Sequence, residues 1–313
     1  MAISQRFRFM YRVLLCLSFF SLPSLVLAED KPLLYKINIK GKTAYLFGSI
    51  HIGQADFYPL PARVTRAFSR SSGLVIEAKP DNEQMVRLLQ KYGRMPYKMD
   101  KRTALLFTQY CQYREDFCAK ISSFSPWLQA LQISLMRYGA LGLTSQFGID
   151  VVLMKQNGQR PLYELESAEE QLALLASFST DIQSEMLQES INTSDEDMLQ
   201  LVDAWREGNQ SQLVRLIESQ LMTSVNRAQI DGAIQKGNEK VRKIEDSLIE
   251  RLLWQRNQTM ALGIERLLNN QELDDLFVVV GVGHLVGDKS IQSELLKKGA
   301  HINNCWQQDC LSD

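Results

Sequence analysis

Apolar positions along this chain gather into a few compact runs, separated by long stretches at helical spacing. Residues 33–39 and 43–49 read as two strands joined by the turn Lys40-Gly41-Lys42, so the chain is predicted to open on a hairpin. Leu60-Pro61 introduces a helix over about 61–70, and Leu74 to Ile76 form a short buried strand that ends at Glu77. From 81 to 157 apolar residues recur at three- and four-residue steps, with a helix start near Ser125-Pro126. Residues 158–161 are a turn and 162–165 a brief strand; Ser167 and Glu170 then have capping-box spacing.

Residues 181–270 read as one long helical stretch, rich in Gln, Glu and Arg. Its apolar spacing favours a helical insert packed on a sheet over a coiled-coil surface. Leu276 to Val280 is an unbroken apolar run, the pattern of a strand buried on both faces in a parallel sheet. Gly281-Val282-Gly283-His284 ends it. A helix from Ser290 to about Lys298 follows, Gly299 stops it, and residues 301–303 suit an edge strand. The predicted class is therefore α/β. A small, mostly parallel central sheet carries an N-terminal hairpin and helical inserts over about 81–157 and 167–270.

The first 28 residues stand apart. Arg6, Arg8 and Arg12 precede an apolar run from Val13 to Ala28 that ends Val26-Leu27-Ala28, with Pro23 just before. A basic start, a short apolar core and a small-residue exit predict a secretory signal. The run is shorter than the roughly 20 residues a membrane span needs, which disfavours an uncleaved anchor. The mature chain, residues 29–313, is then expected to be exported. A bacterial-looking signal places it in the periplasm, with secretion the alternative. Losing three arginines makes the net charge of −1 more negative, which leaves no basic surplus for nucleic acid. No later run is long enough to span a membrane. The sequence leaves the oligomeric state open.

Cys16 would leave with the signal, leaving Cys111, Cys118, Cys305 and Cys310. An even count in an exported chain suggests disulfides. The short spacings favour Cys111–Cys118 and Cys305–Cys310, although four cysteines allow three pairings. A zinc cluster is disfavoured, since neither pair has Cys-x-x-Cys spacing.

The chain has 3 histidines, and two of them share a context. Gly48-Ser49-Ile50-His51 and Gly281-Val282-Gly283-His284 each follow an apolar strand and precede a loop, a helix and another strand. Glycine fills only 17 of 313 positions, so the matched offset is unlike chance placement. The two copies read as βαβ-like units, about 43–77 and 276–303, in which a helical crossover implies parallel strands. Ligands collect at the carboxyl ends of such strands, where His51 and His284 would sit. Glu77 ends its strand in the same way, and Glu164 and Glu166 flank Leu165 with both expected on one face. Two imidazoles with one or two carboxylates can bind a divalent metal and activate water, or do acid–base chemistry without one. Glu166 can equally serve a helix N-terminus. His301 lacks the motif and is expected to be structural.

Five stretches resemble the TraB/PrgY/GumN family, which includes the metalloprotease-like TIKI proteins. They are LYKINIKGKTAYLFGSIHIG from residue 34, LPARVTRAFSRSSGLVIEA from 60, FGIDVVLMKQNGQRPLYELESAEEQ from 147, RNQTMALGIERLL from 256 and FVVVGVGHLVGDKSI from 277. The resemblance covers about 33–304, with little contribution from about 180–245. It implies a metal site at His51, Glu77 and His284. It also aligns the family's Gly-x-Asp with Gly148-Ile149-Asp150, its Leu-Glu with Leu165-Glu166 and its Arg-Asn with Arg256-Asn257. Arg256 would hold a substrate carboxylate or orient Glu77 through paired hydrogen bonds.

The leading expectation is an exported metal-dependent hydrolase, a peptidase, using manganese or cobalt in preference to zinc. Its catalytic set would be His51, Glu77, His284, Glu166, Arg256 and Asn257, acting on a peptide or small-molecule substrate. Glu166 would be a further ligand or base, while Arg256 and Asn257 would position substrate or stabilise developing charge. The alternatives are a metal-free esterase-type hydrolase with His51 as base and a non-catalytic ligand-binding protein.

Overall fold

The computed structural model describes residues 29–79, 82–218, 248–270, 273 and 275–311. The expected signal (1–28) and the middle of the long helical stretch (219–247) lie outside the described residues.

Six strands form one sheet in the order β4-β3-β5-β2-β1-β6. They are β1 (Leu34–Ile39), β2 (Lys42–Ser49), β3 (Gly73–Ile76), β4 (Leu162–Glu164), β5 (Leu276–Gly281) and β6 (His301–Asn304). β1 and β2 make the expected hairpin. β2, β5, β3 and β4 run parallel, so their carboxyl ends share one edge. β6 pairs antiparallel to β1 and so points the same way as β5. Both predicted units are thus parallel crossovers, the first through helix α1 (Ala62–Arg70). In neither are the two strands neighbours. β5 separates β2 from β3, and β2 and β1 separate β5 from β6.

β5 is the centre of the core, as its unbroken apolar run requires. Leu276 to Val280 are all fully buried. Phe277 packs on Phe47 of β2 at 5.8 Å and edge-on to Phe68 of α1 at 5.3 Å between ring centroids. Five further helices frame the site: α2 (Asn82–Tyr92), α3 (Ile149–Gln156), α4 (Ala168–Ala176), α5 (Gln255–Leu268) and α6 (Ile291–Lys297). The Ser167–Glu170 capping box opens α4, and Ser290 caps α6.

The stretch from 181 onward differs from the expected single run. It breaks after the helix Thr180–Asn192, where Ser194 and Asp197 form a second capping box that starts Asp195–Glu207. It breaks again at Gly208, whose φ of 64° ends that helix in the left-handed conformation glycine favours. A turn of π-helix, Glu250–Trp254, leads into α5 directly before Arg256 and Asn257. Such turns recur at functional sites.

Both favoured disulfides are present. Cys111–Cys118 joins two short helices with 5.8 Å between Cα atoms, and Cys305–Cys310 staples the C-terminal turn at 5.1 Å. Disulfides of this kind persist in oxidising compartments, consistent with an exported chain. Among the described residues no helix is long and apolar enough to cross a membrane.

Candidate functional site

The parallel strands deliver side chains to one edge. His51 follows β2, Glu77 follows β3, Glu166 follows β4 and His284 follows β5. α5 brings Arg256 and Asn257 to the same place, and the first turn of α3 brings Asp150.

His51 is held by Asp150. Its Nδ1 lies 2.7 Å from Asp150 Oδ2, and the Ser49 hydroxyl donates to Oδ1 of the same carboxylate at 2.8 Å. The contact needs α3 to start against the His51 backbone. Gly148 permits this, because a Cβ there would lie 2.4 Å from the His51 carbonyl oxygen. Asp150, by its charge and its hydrogen bond, raises the His51 pKa to about 9. Burial works to raise the Asp150 carboxyl, but His51 and Ser49 outweigh it and hold it below its ordinary value. The His51 ring itself is 67% exposed at its side chain and opens onto a cavity.

Glu77 and Glu166 share Arg256. The guanidinium donates from Nε to Glu166 Oε1 at 3.0 Å and from Nη2 to Glu166 Oε2 at 2.8 Å, a forked pair. Nη2 also donates to Glu77 Oε2 at 3.1 Å. Gln171 Nε2 bridges the same two carboxylates at 3.3 and 3.2 Å. Glu77 Oε1 takes the Gly281 N–H at 2.5 Å. Burial works to raise the Glu77 carboxyl, but the charges of His51 and Arg256 and the Gly281 N–H bring it below its ordinary value. His284 is the neutral partner, so the cations that act on Glu77 are His51 and Arg256.

His284 is buried and its tautomer is fixed. Asn257 donates from Nδ2 to the Lys289 carbonyl at 2.7 Å, which turns its Oδ1 toward His284 Nδ1 at 2.5 Å. That oxygen can only accept, so Nδ1 carries the proton and Nε2 carries a lone pair. Burial lowers the His284 pKa to about 4, with Glu77 opposing. The Nε2 lone pair faces Glu77 Oε1 at 3.6 Å, two acceptors across a gap.

That gap lies beside Gly281. A Cβ there would stand 3.2 Å from Glu77 Oε1, 3.7 Å from His51 Nε2 and 3.7 Å from His284 Cδ2. Both imidazoles have Nδ1 tied to an acceptor and Nε2 left to the site, the outer-shell arrangement typical of metal-binding histidines. Once His51 gives up its Nε2 proton, two Nε2 atoms and a carboxylate oxygen are a donor set that suits a divalent cation. Among the described residues, though, no three His, Cys, Asp or Glu side chains already form a group able to hold one.

The structure thus gathers all six candidates, His51, Glu77, Glu166, Arg256, Asn257 and His284, at one edge. Glu164 is not among them. β4 ends at Glu164, so strand alternation does not reach Glu166, and Glu164 instead accepts from the Lys79 N–H. His301 is exposed on the edge strand β6, opposite Asn38 of β1. Three contributors carried no assigned role in the sequence: Asp150, Ser49 and Gln171. For Asp150 the available signal was the Gly148-Ile149-Asp150 match. For Ser49 it was a polar residue two places before His51.

The Uncharacterized protein YbaP of Shigella flexneri is 28% identical over 140 residues, 42% of this chain and 51% of that protein. Its Escherichia coli K12 counterpart is 28% identical over 139 residues, with the same coverage. The Metalloprotease TIKI homolog of Nematostella vectensis is 26% identical over 311 residues, 83% of this chain and 64% of that protein. The chain therefore spans about half of YbaP and less than two thirds of the TIKI homolog. No solved structure matches it. Residues 33–304, nearly the whole described chain, match one family throughout, and the chain belongs to the TraB/PrgY/gumN family.

Proposed function

We propose that this chain is an exported metal-dependent hydrolase, a peptidase, working at the edge formed by His51, Glu77 and His284. The observation that carries the reading is the convergence of His51 Nε2, Glu77 Oε1 and the His284 ring on the space beside Gly281. The relative named as a metalloprotease supports the class of reaction. Export is supported by the sequence pattern of residues 1–28 and the two disulfides, and the periplasm is the proposed compartment.

His51 Nε2, His284 Nε2 and Glu77 Oε1 would hold the ion. The family resemblance favours manganese or cobalt over zinc, while two imidazoles and a carboxylate suit any of the three. Such an ion supplies Lewis acidity, polarising a carbonyl and acidifying water. The chain's own residues arrange the rest. Asp150 accepts from His51 Nδ1 and so presents Nε2 to the site. Asn257 does the same for His284. Arg256 is fully engaged with Glu166 and Glu77, so it orients the acid instead of taking a substrate carboxylate. Glu166 keeps Arg256 in place.

Elemental analysis of mature protein from the exported fraction tests this. We expect a divalent ion close to stoichiometric in wild type, lost in the His51→Ala, His284→Ala double variant together with peptide hydrolysis. Unchanged metal content and unchanged hydrolysis in that variant sink the reading.

One observation favours a second reading. The His51–Asp150 pair is a ready acid–base couple without any metal. Ester or peptide hydrolysis that survives a strong chelator yet disappears in His51→Ala would identify that mechanism.

A further inference from the structure

Next to His51 and Glu77 lies a cavity of about 250 Å³ with a polar floor and apolar walls. His51, Glu77, Asp150 and Gln171 form the floor, and the exposed Lys79 stands at the rim. Met85 of α2, Val151 and Met154 of α3, and Ala168 of α4 form the walls. Asp150 and Met154 are four residues apart on α3 and share a face. Met154 therefore stands one helical turn from the carboxylate that holds His51. Ala168 and Gln171 are three apart on α4, so the side chain that bridges Glu77 and Glu166 has the smallest wall residue beside it. Met85 and Met154 are each only partly buried, so both have apolar surface left to cover.

The size is informative. Sites for whole small molecules run to roughly 300–1,000 Å³. This one is smaller and suits a single side chain entering from a longer ligand. We infer that the cavity is the subsite for a large apolar side chain, of the leucine, methionine or phenylalanine kind, on the residue adjoining the bond offered to His51 and Glu77. Two methionines adapt to several shapes, so the subsite selects by size and polarity instead of one outline. Glycine leaves the walls uncovered. The assignment of the bond rests on the hydrolase reading, whereas the side-chain preference can be measured without turnover.

The test uses the mature protein labelled with [methyl-13C]methionine and titrated with N-acetyl-leucinamide or N-acetyl-glycinamide. We expect the Met85 and Met154 methyl signals to move with the leucine compound, at an affinity about tenfold or more above that for glycine, the discrimination apolar pockets reach. Met154→Trp, or Met85→Trp if the first does not fold, fills the space and removes that preference. Equal response to both compounds, or none from either methionine, overturns the subsite. Peptide turnover separates it from the parent reading. A subsite that binds leucinamide in a protein that cuts no peptide removes the hydrolase and leaves the preference standing. Wild-type kcat/KM favouring leucine over glycine about tenfold, and levelled in the Trp variant, supports both.

Discussion

His51 Nδ1 and Asp150 Oδ2 meet at 2.7 Å although 99 residues separate them in the chain. This one bond joins the end of a strand to the start of a helix and decides which imidazole nitrogen faces the cavity. It also gives His51 a pKa of about 9 in the folded state, above its ordinary 6.5. The stability linked to this shift is fully present below about pH 6.5 and is lost as pH rises through about 9. Melting temperatures of wild type and Asp150→Asn from pH 5 to 10 should therefore differ most at the acid end and converge above pH 9. A constant gap across that range would show that the bond carries no charge.

His284 behaves in the opposite sense. Its folded pKa of about 4 lies below the ordinary value, so the unfolded chain binds the extra proton first. Stability should be whole above about pH 6.5 and fall as pH drops toward 4. His284→Asn should flatten that acid limb in denaturant titrations at several pH values.

Asn257 holds the His284 ring from within the core, 1% exposed. Asn257→Leu strands the Nδ1 proton and the Lys289 carbonyl, at about 1–3 kcal/mol for each group left unmade. Hydrolysis should fall further than stability alone explains, because the ring loses its fixed tautomer. Urea unfolding and turnover on the same preparation check this.

Arg256 is the counter-charge for two carboxylates that are themselves nearly buried, Glu77 at 7% and Glu166 at 9% side-chain exposure. Arg256→Met should destabilise by about 3–5 kcal/mol, the usual loss when one partner of a buried pair is removed. Arg256→Lys keeps the charge but not the fork, and should fall between wild type and the methionine variant. Equilibrium unfolding ranks the three.

Gly281 offers a cleaner probe of the site than any of its polar residues. Its φ of −53° and ψ of 137° suit alanine, so the backbone does not resist substitution. The new methyl would occupy the space shared by Glu77, His51 and His284. Gly281→Ala should melt close to wild type yet lose metal and hydrolysis. Gly148→Ala is the contrast, since its methyl would collide with the His51 carbonyl and should cost stability first. Thermal melts with metal analysis distinguish the two.

Much of this architecture was legible in the sequence because strands write themselves locally. The Val-rich run Leu276 to Val280 has the pattern of a buried strand, and glycines after apolar runs marked where His51 and His284 turn out of the sheet. The order of strands was not legible. Nothing in residues 43–77 says that a strand some 200 residues later inserts between β2 and β3. Asp150 was hidden for the same reason. Its spacing assigns it to a helix start, where an acid is ordinary, and only the tertiary approach of α3 to His51 gives it a second partner. The helix breaks at Ser194 and Gly208 were written in capping residues that a periodicity count passes over.

The insertion of β5 between β2 and β3 sets the order in which the site can come into being. β2 and β3 share no backbone hydrogen bonds with each other; each has β5 as its parallel neighbour. A chain made from its N-terminus therefore carries His51 and Glu77 long before anything aligns them. They become a pair only when Leu276–Gly281 arrives, bringing His284 and the Gly281 N–H in the same segment. A nascent chain thus holds every earlier component of the centre without the centre itself. The assembled site is withheld until β5 is in place.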